Sequence, residues 1–136
     1  MNSPDDVMQA LRQHGFRVKL YPVAGGSASA ALRREGLQVS PAIIDSGIVQ
    51  AVVATPAPDR GSLVVAYVGH TARDGLLLWQ QNGEFTDPQM GEALKHVPKL
   101  STRRNVTAIY FPPNRQGLAG PDRKRDFLEA MDELRG

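Results

Sequence analysis

Cysteine is absent from this chain of 136 residues, and its absence excludes two large classes of structure. Without thiols the protein forms no disulfide and holds no metal through thiolates, which fits a reducing compartment. The first six residues, Met1 to Asp6, lack the basic start and apolar core of a signal peptide. No apolar run approaches the roughly 20 residues that a membrane span needs. We therefore expect a cytoplasmic protein that makes no membrane contact.

Signatures of catalysis, cofactor binding and metal binding are also missing. The turn Gly25-Gly26-Ser27 matches neither of the two glycine-rich phosphate-binding motifs. The histidines His14, His70 and His96 contain no pair at i, i+3 or i, i+4 spacing, which would place two metal ligands on one helix face. The sequence therefore predicts no cofactor, no metal site and no assigned catalytic residue, and none of its motifs identifies a family.

One histidine is nevertheless placed where chemistry could occur. His70 follows a predicted strand in a loop, which is a common position for functional side chains. Asp45 or Asp74 could orient it and Ser46 could serve as a nucleophile, but no G-x-S-x-G motif supports such a triad. An enzyme with an unrecognised site near His70 therefore remains an alternative, although the sequence favours a protein that is not an enzyme.

Basic charge is concentrated in the last third of the chain. Residues 95–136 carry nine Lys and Arg against five Asp and Glu, whereas the first 94 carry seven against nine. A clustered positive charge favours an anionic partner, and arginine suits bidentate contact with phosphate. This gives a second hypothesis, a nucleic-acid-binding or anion-binding surface formed by six residues: Arg103, Arg104, Arg115, Arg123, Lys124 and Arg125.

Composition and pattern predict a single α+β domain over residues 1–136. Hydrophobic content of 41% and charged content of 22% are typical of globular proteins. The order of the predicted elements is α-β-α-β-β-β-α-β-α, with short connections that favour a mainly antiparallel sheet of about five strands. Three to four helices flank this sheet, and we expect them on one face. Helices are predicted at 3–14, 24–36, 87–97 and 121–135, and strands at 16–23, 48–55, 62–69, 75–81 and 106–111.

The strongest local signal for a turn is Asn82-Gly83. This dipeptide is typical of type I′ hairpins, so the strand Gly75 to Gln81 should pair with Glu84 to Thr86. Trp79 would then pack within the hairpin or the core. Its second interpretation is an exposed anchor for a protein partner.

The sequence favours a non-catalytic module that binds another protein, as an adaptor, inhibitor or regulatory subunit. This hypothesis rests on two observations. The strand signals are strong, and the sequence contains no recognisable set of catalytic residues. The predicted edge strands Phe16 to Val23 and Glu84 to Thr86 offer backbone groups for pairing, so a homodimer is also expected as one form of the interaction.

Overall fold

A five-stranded sheet forms the centre of the protein, and all four of its strand pairings are antiparallel. The computed structural model describes residues 1–23, 28–35, 37, 41–56, 62–82, 98–113 and 120–135. The sheet order is β1-β2-β3-β5-β4, which confirms the α+β class. The strands are β1 (Lys19–Pro22), β2 (Val49–Ala54), β3 (Leu63–Gly69), β4 (Lys99–Arg103) and β5 (Val106–Phe111).

Helices cover both faces of this sheet. They are α1 (Pro4–Gln13), α2 (Ala28–Arg34), α3 (Pro41–Ile44), α4 (Ala72–Asn82) and α5 (Lys124–Asp132). Apolar side chains of α1 and α5 pack on one face, and those of α2, α3 and α4 pack on the other. The expectation that the helices share one face is therefore wrong. Every residue of β3 is buried, and a strand buried on both sides needs cover on both sides. No helix in the described ranges is long and apolar enough to cross a membrane.

The predicted strand Gly75 to Gln81 is instead the body of helix α4. Its start is fixed by a reciprocal cap in which the Asp74 backbone N–H donates to Thr71 Oγ1 and the Asp74 carboxylate accepts from the Thr71 N–H. The proposed return strand Glu84 to Thr86 and the helix predicted at 87–97 lie outside the described residues. Strand β4 was not predicted.

Helix α1 begins where the sequence predicts it. The Asp6 backbone N–H donates to Ser3 Oγ, and the Ser3 N–H donates to the Asp6 carboxylate, 2.9 Å away. These interactions with Ser3 hold the pKa of Asp6 below its ordinary value. A lowered pKa means that the ionised cap stabilises the fold above the ordinary carboxyl pKa, and that this contribution is lost as the pH falls through the lowered value.

A buried tyrosine of β5 holds the N-terminal end of helix α5. The Tyr110 hydroxyl donates to Asp122 Oδ1 over 2.6 Å and accepts from the Arg123 N–H over 2.7 Å, while its ring stacks on Phe127. Burial, followed by the hydrogen bond to Asp122, raises the pKa of Tyr110 well above its ordinary value. The final helix is thereby tied to the centre of the sheet.

The hairpin between β4 and β5 turns through Arg104 and Asn105. Arg104 has φ of 51°, in the left-handed region that costs a residue with a Cβ about 1–2 kcal/mol. The turn lies against helix α4 and beside the connection that leads from β3 into α4. At the start of that connection, the Gly69 N–H donates to Asn105 O over 2.7 Å. The backbone carbonyl of Arg104 approaches Gly75 of this helix so closely that a Cβ at position 75 would lie 1.8 Å from its oxygen.

Replacing Arg104 by glycine should raise the free energy of unfolding by about 0.5–1 kcal/mol. Glycine adopts a positive φ without the steric cost of Cβ, although its greater freedom in the unfolded chain cancels part of this gain. Urea unfolding tests the prediction, with a higher midpoint at an unchanged m value as the expected result. A lower midpoint would show that contacts of the Arg104 side chain outweigh the backbone strain.

Candidate functional site

Helix α4 carries a stripe of apolar side chains on its outer surface. Ala72, Leu76 and Trp79 are spaced i, i+4 and i+7, so they share one side of the helix, and all three are exposed. The side chains of Leu76 and Trp79 are exposed to 53% and 46%, whereas Leu78, on the inner side, is fully buried. We call Ala72, Leu76 and Trp79 the α4 stripe.

The α4 stripe lies on a helix that is anchored to the sheet. Gly75 and Leu78 face the layer of β3, β4 and β5, and Thr107 Oγ1 of β5 donates to Gly75 O over 2.8 Å. The reciprocal cap of Thr71 and Asp74 fixes the first turn. These contacts, all within the described residues, come from the backbone and the inner side of α4 rather than from the α4 stripe.

Among the described residues of α4, the exposed charged side chain is positive. Arg73 is exposed at the first turn, three residues before Leu76. The neighbouring carboxylate, Asp74, accepts hydrogen bonds from the backbone N–H groups of His70 and Thr71 and is thus engaged in the cap. Further along the helix the exposed polar residues are the neutral Gln80 and Gln81.

Five of the six basic residues predicted to form an anion-binding surface lie within the described residues, and they fall into two groups. Arg103 and Arg104 lie at the β4–β5 hairpin, and Arg103 donates to Asp132, at the C-terminal end of α5, over 2.6 Å. Lys124 and Arg125 lie in the first turn of α5. A rise of 1.5 Å per residue separates the two ends of that helix by about 12 Å. Arg115 lies outside the described residues.

Arg123 has a structural role that sequence reasoning missed. Its guanidinium lies 4.1 Å from the centre of the Phe16 ring and donates to the carbonyl oxygens of His14 and Gly15. It thereby satisfies carbonyl groups beyond the C-terminal end of α1, while its Nε donates to Asp126. These contacts leave the side chain 16% exposed, which makes it a poor candidate for phosphate contact.

Acidic residues accompany the remaining basic ones. Arg125 is 92% exposed and its Nε lies 3.3 Å from Glu129 Oε1. Lys124 is exposed beside Asp122, whose carboxylate accepts from the Lys124 N–H. Because the described basic groups are split between two ends of α5 and interleaved with carboxylates, no single strongly positive surface emerges from the described residues. Nucleic-acid binding stays a prediction.

The residues considered for a triad lie at one end of the sheet. His70 follows β3 and Ser46 precedes β2, and the register pairs Val49 with Gly69 at that end. Ser46 Oγ donates to Ile43 O over 2.6 Å in the turn after α3. Asp74 is engaged in the α4 cap, as described above. The local backbone thus uses both the candidate nucleophile and one candidate carboxylate. The Gly25-Gly26-Ser27 turn lies outside the described residues.

Comparison with known proteins gives no match, whether against protein-family models, curated proteins or solved structures. Within the described residues, the α4 stripe is the feature that packing within the chain explains least. Trp79 lies on a helix and not in the expected hairpin. Its relevant interpretation is therefore the second one, an exposed anchor for a protein partner.

Proposed function

We propose that this protein is a non-catalytic module that binds another protein through the α4 stripe. The observation that carries the proposal is the pairing of Leu76 and Trp79, both about half exposed and one turn apart on a firmly anchored helix. Within the described residues, the other large apolar side chain with comparable exposure is Met1. Tryptophan is enriched among residues that dominate binding energy at protein interfaces.

The chemistry of the stripe specifies the kind of partner. Anchors at i, i+4 and i+7 suit an apolar groove that receives one face of a helix. The exposed charge at the N-terminal end of the stripe is Arg73, so we expect the groove to present a carboxylate at that end. The proposed partner is therefore a protein with an apolar groove and an acidic rim. Removing one anchor should strongly lower the affinity for this partner.

Replacing Leu76 by serine should weaken binding to the partner by roughly 10- to 30-fold, because burial of a leucine side chain contributes about 1.5–2 kcal/mol. Trp79 is the single tryptophan of the chain, so its emission reports the burial of the stripe directly. The partner is isolated on immobilised protein, purified and titrated against the wild type, with a blue shift of Trp79 emission as the expected signal. Gln81→Ala, an exposed position on a different side of the same helix, is the matched control and should bind like the wild type.

Three results would contradict the proposal. The first is equal affinity for Leu76→Ser and the wild type, and the second is a bound complex in which Trp79 emission stays unchanged. The third is an emission shift that depends on the concentration of this chain alone, which would identify a second copy as the occupant. Binding to labelled DNA or RNA that falls steeply with salt, and that survives Leu76→Ser, would favour the nucleic-acid hypothesis instead.

A further inference from the structure

A histidine of α1 meets carboxylates of α5 on the side of the molecule formed by these two helices. His14 ends α1, and Asp126, Glu129 and Glu133 follow one side of α5 at i, i+3 and i+7. One ligand atom from each of His14, Asp126 and Glu129 lies within 4.8 Å of the other two. The sequence predicts no metal site, because 112 residues separate His14 from Asp126 along the chain.

Distances within this cluster are close to those of ligands around one small cation. His14 Nδ1 lies 3.7 Å from Glu129 Oε2, too far for a hydrogen bond. Two ligand atoms bound tetrahedrally at about 2.1 Å from zinc lie roughly 3.4 Å apart. Movements of a few tenths of an ångström in exposed side chains would therefore bring Nδ1 and Oε2 to coordinating positions.

The other nitrogen of His14 is held as in known metal centres. His14 Nε2 lies 3.0 Å from Glu133 Oε1, and Nδ1 is the ring nitrogen near Glu129. In the tautomer that carries its proton on Nε2, this nitrogen donates to Glu133 and Nδ1 keeps a lone pair for a metal ion. Histidines that bind metals characteristically donate their second ring N–H to a carboxylate, which fixes the tautomer and orients the ring.

Two arginines hydrogen-bond to the carboxylates of this cluster. Arg123 donates to Oδ2 of Asp126 and Arg125 donates to Oε1 of Glu129, so each carboxylate has a second oxygen. The oxygen of Glu129 nearer to His14 is Oε2. Three carboxylates against two guanidinium groups leave the cluster with a formal charge of −1, which favours a cation.

We propose that His14, Asp126 and Glu129 bind one divalent transition-metal ion of the zinc class, with Glu133 as the positioning residue of His14. One imidazole and two carboxylates form a ligand set suited to zinc, with water completing the coordination. The ion would join the C-terminal end of α1 to α5 from the outside. This proposal is independent of the α4 stripe, which lies on a helix that packs against the opposite face of the sheet.

Calorimetric titration of the full chain with Zn²⁺ alone tests the proposal. We expect one ion per chain, and affinity at least 100-fold lower in His14→Gln. Removing an orienting carboxylate outside the first coordination shell typically costs 10- to 100-fold in metal affinity, which is the loss expected for Glu133→Gln. His70→Gln, which removes an exposed imidazole elsewhere, is the matched control and should bind Zn²⁺ like the wild type.

Two further measurements separate binding from a general effect on folding. Zn²⁺ should raise the unfolding temperature of the wild type and of His70→Gln but not of His14→Gln, since an ion that binds the folded state stabilises it. In ¹⁵N spectra of the imidazole, Zn²⁺ should shift Nδ1 of His14 while Nε2 keeps its proton.

The proposal is overturned if 1 mM Zn²⁺ produces no binding heat, or if His14→Gln binds as tightly as the wild type. It is also overturned if both ring nitrogens of His14 stay protonated with Zn²⁺ present, since the cluster would then be a set of ion pairs around an imidazolium.

Discussion

Replacing Gly75 by alanine is expected to destabilise the protein by about 3 kcal/mol. A Cβ on Gly75 would lie 1.8 Å from the carbonyl oxygen of Arg104 and 2.8 Å from its carbonyl carbon. Both atoms belong to the backbone of a tight hairpin, so no side-chain rotation relieves the contact. Helix α4 or the hairpin must move, and forced shifts of this kind typically cost 1–3 kcal/mol or more. An ordinary helical glycine behaves in the opposite way, because alanine there stabilises by up to about 1 kcal/mol.

Urea unfolding monitored by far-ultraviolet circular dichroism measures this change. Gln80→Ala, on the exposed side of the same helix, provides the control and should alter the free energy of unfolding by less than about 0.5 kcal/mol. A Gly75→Ala variant as stable as the wild type would show that the hairpin does not approach α4 as the structure has it. The sign of the effect alone distinguishes the two outcomes.

The sequence near Gly75 contains a signal for helix α4, but it also contains a competing signal for a strand and a hairpin. Leu76, Leu77, Leu78 and Trp79 form an apolar run that suits a buried strand and a helix equally well. The Asn82-Gly83 dipeptide then favoured a hairpin. The spacing of Thr71 and Asp74 is that of a capping box, and it marks the start of a helix. What sequence could not reveal is the close approach of Arg104, which requires glycine at position 75.

The strands, too, could be predicted only in part from the sequence. Strands β2, β3 and β5 were predicted within one residue at each end, because their runs are rich in valine, isoleucine and other residues that favour strands. Strand β4 is the polar edge strand Lys99–Arg103, and its assignment depends on pairing with β5 rather than on its own composition. The continuous apolar run of β3 also indicates that both faces of the sheet are covered. Such runs are typical of parallel sheets, which are usually covered on both faces.

Candidate sites were predictable only where neighbours in sequence form them. Charge clustering predicts an anion-binding role for Arg103 and Arg123, yet the first pairs with Asp132 and the second packs on Phe16. Neither contact is visible in the sequence, because each joins parts of the chain about 30 to 100 residues apart. The cluster around His14 was missed for the same reason. Local spacing identifies helical metal pairs but not ligands from two antiparallel helices.

A second large effect is expected at Asn105, which is fully buried in the turn of the hairpin. Its side chain accepts from the Asn2 N–H and donates to the carbonyl oxygens of Asn2 and Gly69, all within 2.9 Å. Asparagine offers a donor and an acceptor on one planar group, and here both serve the N-terminal backbone. Asn105→Ala would remove this partner from the N–H and the carbonyl oxygen of Asn2, whereas Gly69 O would keep its hydrogen bond from Gln50 Nε2. The expected cost is about 2–3 kcal/mol.

The side chain of Asn2 completes the connection, which makes a double-mutant cycle the sharpest test. Its amide donates to the carbonyl oxygens of Arg103 and Arg135 and accepts from the Arg135 N–H. Because Asn105 holds the backbone of residue 2 and the Asn2 side chain holds the hairpin and the C-terminal segment, each contact fixes the geometry of the other. We expect a coupling energy above about 0.5 kcal/mol between Asn105→Ala and Asn2→Ala in urea unfolding. Strictly additive losses would mean that the N-terminal segment is held elsewhere, and that the two asparagines stabilise the fold independently.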